Sequence, residues 1–335
     1  MMSRFGRQNQ SPFAQKLLLD DRLRLSLVTL AVFVLMAILN PGRFLTPRNF
    51  FSICYQFPEL GLFALAVMFS LVTGGIDLSV VSTANLSALC AAFVLTSAAS
   101  DGLAVTALAV GVVLAVSMAC GSINGLLITR LGITPILATL GTMQLYAGFC
   151  FVATGGKSVV GFPPLFQKIG NGSLLGLPVP LLIFIFAALA AAALLGRTRL
   201  GFSLYLLGTS ERAARFSGLQ TRRVILKTYL LSGLYAGLAG LILMSRANSA
   251  KADYGSSYLL QAVLVAILGG VDPRGGFGTV AGVALAVLSL QFLSSGFNML
   301  RISIFVKEFT WGLVLLTVVM LNYLTHRRLY GGDKS

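Results

Sequence analysis

Asp77 follows Gly74-Gly75 in a stretch with no other carboxylate close by, and Ser79, Ser82, Thr83, Asn85 and Ser87 come directly after it. A lone carboxylate among hydroxyls has two readings. It can cap the following helix by accepting backbone N–H groups, or it can face a cavity at a helix break and contact a solute there. Further along, neutral hydrogen-bonding side chains recur at Asn124, Thr139, Thr142, Gln144, Tyr146, Gln261, Gln291 and Asn298, while ionisable ones are nearly absent from the same segments. An ionic substrate or a proton relay calls for a buried charge, so this inventory favours an uncharged, polyhydroxylated solute. Most of the hydroxyls are read as bonds within or between helices. Asn85, Gln144 and Gln261 are stronger candidates for the solute, because an amide needs several partners. Asp77, Ser79, Asn85, Thr139, Gln144 and Gln261 form the candidate substrate pathway.

Catalytic chemistry finds little support. Gly155-Gly156-Lys157-Ser158 looks like the tail of a phosphate-binding loop, but Phe151 stands where that pattern needs a glycine, and an apolar helix rather than a strand precedes it. Gly276-Phe277-Gly278-Thr279-Val280-Ala281 matches a dinucleotide glycine pattern without the surrounding βαβ unit; glycines four apart, as at Gly121/Gly125, Gly233/Gly237 and Gly278/Gly282, read as close helix packing. Cys54, Cys90, Cys120 and Cys150 are widely spaced, and His326 is the only histidine. Neither a disulfide framework, a metal site nor a nucleophile–base constellation is expected, and no cofactor is implied.

The longest polar stretch, 197–223, carries a different kind of signal. Ser210 suits an N-cap, Glu211 the positive helix end, and Gly218 the left-handed terminating position. The spacing predicts a two-turn helix with Arg212 and Arg215 on one face and Ala213 and Phe216 on another. Such a helix is either a lipid-headgroup anchor or a docking element for a cytoplasmic partner.

These groups must be positioned by elements that cross a bilayer. Of 335 residues, 56% are hydrophobic and 10% charged, too little polar surface for a water-soluble globule. Charge-free intervals fall at 25–40, 60–76, 78–100, 102–129, 131–156, 169–196, 228–245, 254–271, 275–300 and 309–326, and a helix needs about 20 apolar residues to cross. The expected fold is an all-α integral membrane protein of about ten transmembrane helices. The first run is an uncleaved span rather than a signal peptide, since Asp20 and Asp21 precede it and no small-residue cleavage site follows. Ten spans put both termini on one side. Placing Arg43, Arg48, Lys157, Lys168, Arg246, Lys251, Arg301 and Lys307 outside leaves seventeen of the twenty-five Lys and Arg inside, so both termini are expected to be cytoplasmic. The same topology reads the formal charge of +15 as a membrane-surface signal rather than a nucleic-acid one. The organisation expected is a cytoplasmic segment 1–24, one transmembrane domain 25–326 with a cytoplasmic loop 197–223, and a cytoplasmic tail 327–335.

Several ordered motifs carry a family resemblance over almost the full length: Thr73-Gly74-Gly75-Ile76-Asp77-Leu78-Ser79-Val80, Ala138-Thr139-Leu140-Gly141-Thr142, Gly208 to Gly218, Leu231 to Gly240, and Leu268-Gly269-Gly270. The chain resembles the permease subunits of bacterial sugar-import ABC transporters of the ribose, galactose and autoinducer-2 type, a type II-like importer permease. The resemblance implies a second permease subunit, identical or related, cytoplasmic ATP-binding cassette subunits, and a periplasmic or lipoprotein solute-binding protein, in the inner membrane. It also gives Ser210, Glu211, Arg212, Ala213, Ala214, Arg215 and Phe216 a role as a coupling helix seated in the ATPase, which would hydrolyse the ATP this chain has no site for. Leu259 and Gln261 stand where relatives commonly carry acidic residues, and Val81 where glycine is common, which points to a distinct substrate or a non-identical partner permease. The competing class is a secondary transporter of a small polar solute driven by an ion gradient, for which only Asp77, Glu59 and Glu308 lie near the membrane.

Overall fold

A computed structural model describes residues 21–97 and 102–330. The expected terminal segments before residue 21 and after residue 330 lie outside the described residues, as does the end of the 78–100 interval. The chain is mostly helical: α1 (Asp21–Leu39), α2 (Pro41–Phe44), α3 (Pro47–Val72), α4 (Val80–Ser97), α5 (Leu103–Leu131), α6 (Pro135–Thr154), α7 (Pro164–Asn171), α8 (Val179–Arg197), α9 (Arg199–Thr209), α10 (Glu211–Phe216), α11 (Thr221–Ala247), α12 (Tyr258–Leu268), α13 (Val280–Met299) and α14 (Ile304–Tyr330). Two short antiparallel pairs decorate it, β1 (Val159–Val160) with β4 (Ser249–Ala250), and β2 (Ser173–Leu174) with β3 (Leu177–Pro178).

Helix starts follow local chemistry. Thr46 caps α3 by accepting the Asn49 N–H, with Pro47 in the first turn, and Thr279 caps α13 by accepting the Gly282 N–H. Seven helices among the described residues, α3 to α6, α8, α11 and α13, are long and apolar enough to cross a membrane. Two charge-free intervals misjudge the elements they mark. The interval 60–76 covers the latter half of α3, which begins at Pro47 and continues through Glu59; charge counting started the span too late because the carboxylate is paired inside the protein. The interval 254–271 yields only the 11-residue α12, whose length of about 16 Å is half a bilayer core.

α11 runs through the centre, packed on α5, α3 and α4. Glycines permit that approach: a Cβ at Gly121 would lie 2.1 Å from the Tyr229 carbonyl oxygen, and one at Gly233 would lie 2.3 Å from that of Ser117. The expected pair Gly278/Gly282 differs. Gly278 sits in a loop at φ +146° against Val271, and only Gly282 of the two packs helix to helix-end, against the Gly269 carbonyl. The main core gathers the Leu60–Val72 face of α3 with Leu264, Val265, Val283 and Val287.

Candidate functional site

Two helices end in the same turn. After Val72, Gly74 adopts φ +76°, its N–H donates to the Leu71 carbonyl, and the Gly75 N–H reaches back to Ser70; after Leu268, Gly270 at φ +83° donates to Ile267 and the Val271 N–H to Ala266. Both are paired end-capping bonds closed by a left-handed glycine. The register of the repeated Gly-Gly differs by one residue between them, so Asp77 and Asp272 part ways. Asp272 is half-buried and turns its carboxylate onto the Arg274 N–H. Asp77 is 1% exposed.

Asp77 lies at the centre of a hydrogen-bond network that spans five segments. Oδ1 accepts from the Ser79 N–H at 3.0 Å and the Ser79 hydroxyl at 2.7 Å, and Oδ2 accepts from Ser232 Oγ at 2.8 Å. The Asp77 N–H donates to Ser70 Oγ. Asn124 Nδ2 then donates to Ser79 Oγ at 2.8 Å, and Thr142 Oγ1 to Asn124 Oδ1 at 2.6 Å. This network links α3, the turn before α4, α5, α6 and α11. Because α4 starts at Val80, Asp77 is not its N-cap in the strict sense; it folds the turn just before the helix. Thr139 borders the network, donating to the Pro135 carbonyl at 2.8 Å and the Ile76 carbonyl at 3.3 Å.

The other candidates lie apart. Both amide protons of Asn85 are taken by backbone carbonyls of Ala252 and Tyr254, each at 2.9 Å, which satisfies irregular chain lodged inside the bundle. Gln144 is exposed on the outer face of α6, beside Gly141 and Gly148, and Gln261 is half-buried on α12. Asp77, Ser79 and Thr139 thus converge, whereas Asn85, Gln144 and Gln261 do not join them.

The 197–223 stretch forms α9 and α10. Ser210 accepts the Ala213 N–H at 3.2 Å, Arg215 pairs with Glu211, and Gly218 at φ +79° closes the helix, its N–H donating to the Arg215 carbonyl and the Leu219 N–H to that of Ala214. The expected faces need correction. Ala214 is fully buried, while Ala213, Arg212 and Arg215 are exposed and Phe216 is 92% exposed. The helix spans six residues, too short for two distinct faces, so one alanine anchors it and the rest projects.

Gly208, two residues before Ser210, meets the end of α3 and the Gly275-Gly276 loop. A Cβ there would sit 2.0 Å from the Val72 carbonyl and 2.3 Å from the Gly276 nitrogen, and Gly276 N–H itself donates to Val72 at 2.8 Å. Gly275, at φ +92°, leaves room for Gly74 N and Gly208 Cα. Tyr205 donates its hydroxyl to the Gly278 carbonyl at 2.7 Å; burial holds its pKa above the usual value, so the donor is kept. α9, immediately before α10, is thus in backbone contact with the end of α3 and the loop before α13.

Charge counting set Glu59 near the membrane but outside a span, and the candidate pathway left it out. Fully buried, it pairs with Arg246 Nε at 2.9 Å and accepts the Tyr258 hydroxyl at 3.1 Å, joining α3, α11 and α12. Its signal was present in the sequence as a carboxylate followed by an unbroken apolar run. No group of His, Cys, Asp or Glu suited to hold a metal occurs among the described residues.

Residues 49–324 match the family described as branched-chain amino acid transport system / permease component. The chain is 38% identical over 291 residues to the ribose import permease protein of Bacillus subtilis, covering 86% of this chain and 88% of that one. It is 35% identical over 277 residues to the autoinducer 2 import system permease protein of Yersinia enterocolitica, covering 81% and 82%. No solved structure gives a significant match.

Proposed function

The chain belongs to this permease family, and from that premise we propose that it forms the translocation pathway of an ATP-driven importer for a neutral sugar or sugar-like solute. It is a multi-pass protein of the bacterial inner membrane and a transport subunit rather than an enzyme. The observation that carries the reading is α10: an exposed helix with an exposed aromatic tip, joined through Gly208 of the preceding helix to the end of α3 and to the Gly275-Gly276 loop before α13. ATP binding elsewhere shifts the populations of this chain only through differential contacts, and α10 is the element placed to make them.

In this reading a separate ATP-binding cassette subunit grips Ser210–Phe216 and hydrolyses ATP. A second permease, identical or related, completes the pathway, and a periplasmic or lipoprotein solute-binding protein delivers the solute. In this reading a single transmembrane domain, 25–326, leaves 1–24, 197–223 and 327–335 on the cytoplasmic side. Among the pathway candidates, Gln144 and Gln261 face the solute, because an exposed or half-buried amide at membrane depth requires polar partners. Asp77, Ser79, Thr139 and Asn85 hold the wall behind them.

Uptake of labelled D-ribose by cells carrying the chain with its partner subunits tests the reading. Uptake that survives an uncoupler and stops when ATP is depleted supports it; uptake that stops with the uncoupler while ATP persists overturns it in favour of a gradient-driven carrier.

A further inference from the structure

Asn49, Ser52, Gln56, Gln291, Ser295 and Asn298 surround a single cavity of about 240 Å³ between the first turns of α3 and the last turns of α13, with Ile53 and Met299 completing its wall. We propose that this cavity is a subsite for a neutral polyhydroxylated solute, an assignment that rests on the importer reading. No charged side chain lines it. Six neutral groups supply both donors and acceptors, the chemistry that a ring of hydroxyls requires and a charged ligand does not.

The lining is built rather than incidental. Residues 49, 52, 53 and 56 share one face of α3, and 291, 295, 298 and 299 share one face of α13. Asn49 donates to the Phe44 carbonyl at 2.8 Å and accepts the Ser295 hydroxyl at 2.7 Å, which fixes its orientation. Gln291 Nε2 donates to Gln56 Oε1 at 3.3 Å, and Gln56 Nε2 to Ser52 Oγ at 2.8 Å. Lys307, from α14, donates to Asn298 Oδ1 at the rim. Among the described hydrogen bonds, Gln291 Oε1 and Asn298 Nδ2 then keep no protein partner, one an acceptor and the other a donor. Amides that served only to hold two helices together would close on each other and leave no such space.

Position fits the role. Gln56 and Asn49 precede Val72, where the coupling segment touches α3, by 16 and 23 residues, or about 24–35 Å of helix. The cavity therefore lies at the opposite end of the bundle from α10, where a delivered solute would first meet the chain.

The only tryptophan, Trp311, reports on this place: its ring lies 6.0 Å from that of Phe297, next to Asn298. The full chain in lipid nanodiscs, titrated with D-ribose, D-galactose and xylitol, is expected to show a saturable change in Trp311 fluorescence, with gluconate giving none. Gln291→Ala and Asn298→Ala should each raise the apparent Kd about tenfold, the equivalent of one lost hydrogen bond. Asn298 is exposed, so its truncation leaves the fold intact should Gln291→Ala not fold. No saturable change with any of the three sugars and polyols, or an unaltered midpoint in Asn298→Ala, overturns the subsite. ATP-driven D-ribose uptake measured in parallel separates the two claims: uptake intact beside a flat titration sinks the subsite alone, whereas uptake that follows an ion gradient sinks the importer reading.

Discussion

Arg246 Nε lies 2.9 Å from the Oε1 of Glu59, and the carboxylate is wholly enclosed while the guanidinium is about a quarter exposed. The pair fastens α11 to α3 and lets a charged residue sit inside an apolar helix. Removing one partner of a buried pair costs about 3–5 kcal/mol, because the other is left uncompensated, whereas replacing both with apolar groups is often near neutral. Glu59→Leu alone should lower the melting temperature of the detergent-solubilised chain more than Glu59→Leu with Arg246→Leu. Equal losses in the single and double variants would show that the pair is not coupled.

Asp77 should be structural in its effect. Asp77→Asn keeps one acceptor and sets an N–H donor against a hydroxyl that was donating, so the Ser232 bond or its partner is lost at about 1–3 kcal/mol. The expected result is a lower melting temperature with solute affinity preserved in the fraction that folds. An unchanged melting temperature with weakened solute binding would instead make Asp77 a direct contact.

Gly208 has no space for a methyl group, since both atoms it would strike are backbone. Gly208→Ala must push α9 away from the α3 terminus, and overpacking of this kind costs about 1–3 kcal/mol. Transport should fall at least as steeply as stability, with ATP hydrolysis in the assembled complex no longer answering to solute. Wild-type coupling in Gly208→Ala would mean that the junction transmits nothing.

Phe216 and Arg212 project without packing on the rest of the chain. Phe216→Ala and Arg212→Ala should leave the melting temperature of the isolated chain almost unmoved, within about 0.5 kcal/mol. Co-purification of the ATPase subunit and ATP-driven uptake should both be lost. Ala214→Trp, by contrast, should destabilise the isolated chain, because Ala214 is the buried anchor of the helix. Retained uptake in the Phe216 and Arg212 variants would move the docking surface elsewhere.

Hydropathy, caps and the ordered glycine motifs were enough to read a helical membrane bundle, the short helix at Glu211–Phe216 and the permease family. The family was read from the resemblance of ordered motifs, whereas the bundle and the short helix rest on nearest-neighbour chemistry: an apolar run partitions into lipid residue by residue, Ser210 meets an N–H three positions on, and Gly218 takes the left-handed turn at no steric cost. The limits of α3 and α12 were not readable that way. Whether Glu59 ends a span or is carried inside it depends on Arg246 and Tyr258, and a charge-free interval cannot show that its helix stops after 11 residues. The candidate site was legible residue by residue but not as an arrangement. Ser232 reaches Asp77 across 155 positions, and Gln56 meets Gln291 across 235. Which polar groups close on one another and which are left facing a cavity is fixed by how the helices pack, a property of the whole bundle that no local stretch of chain encodes.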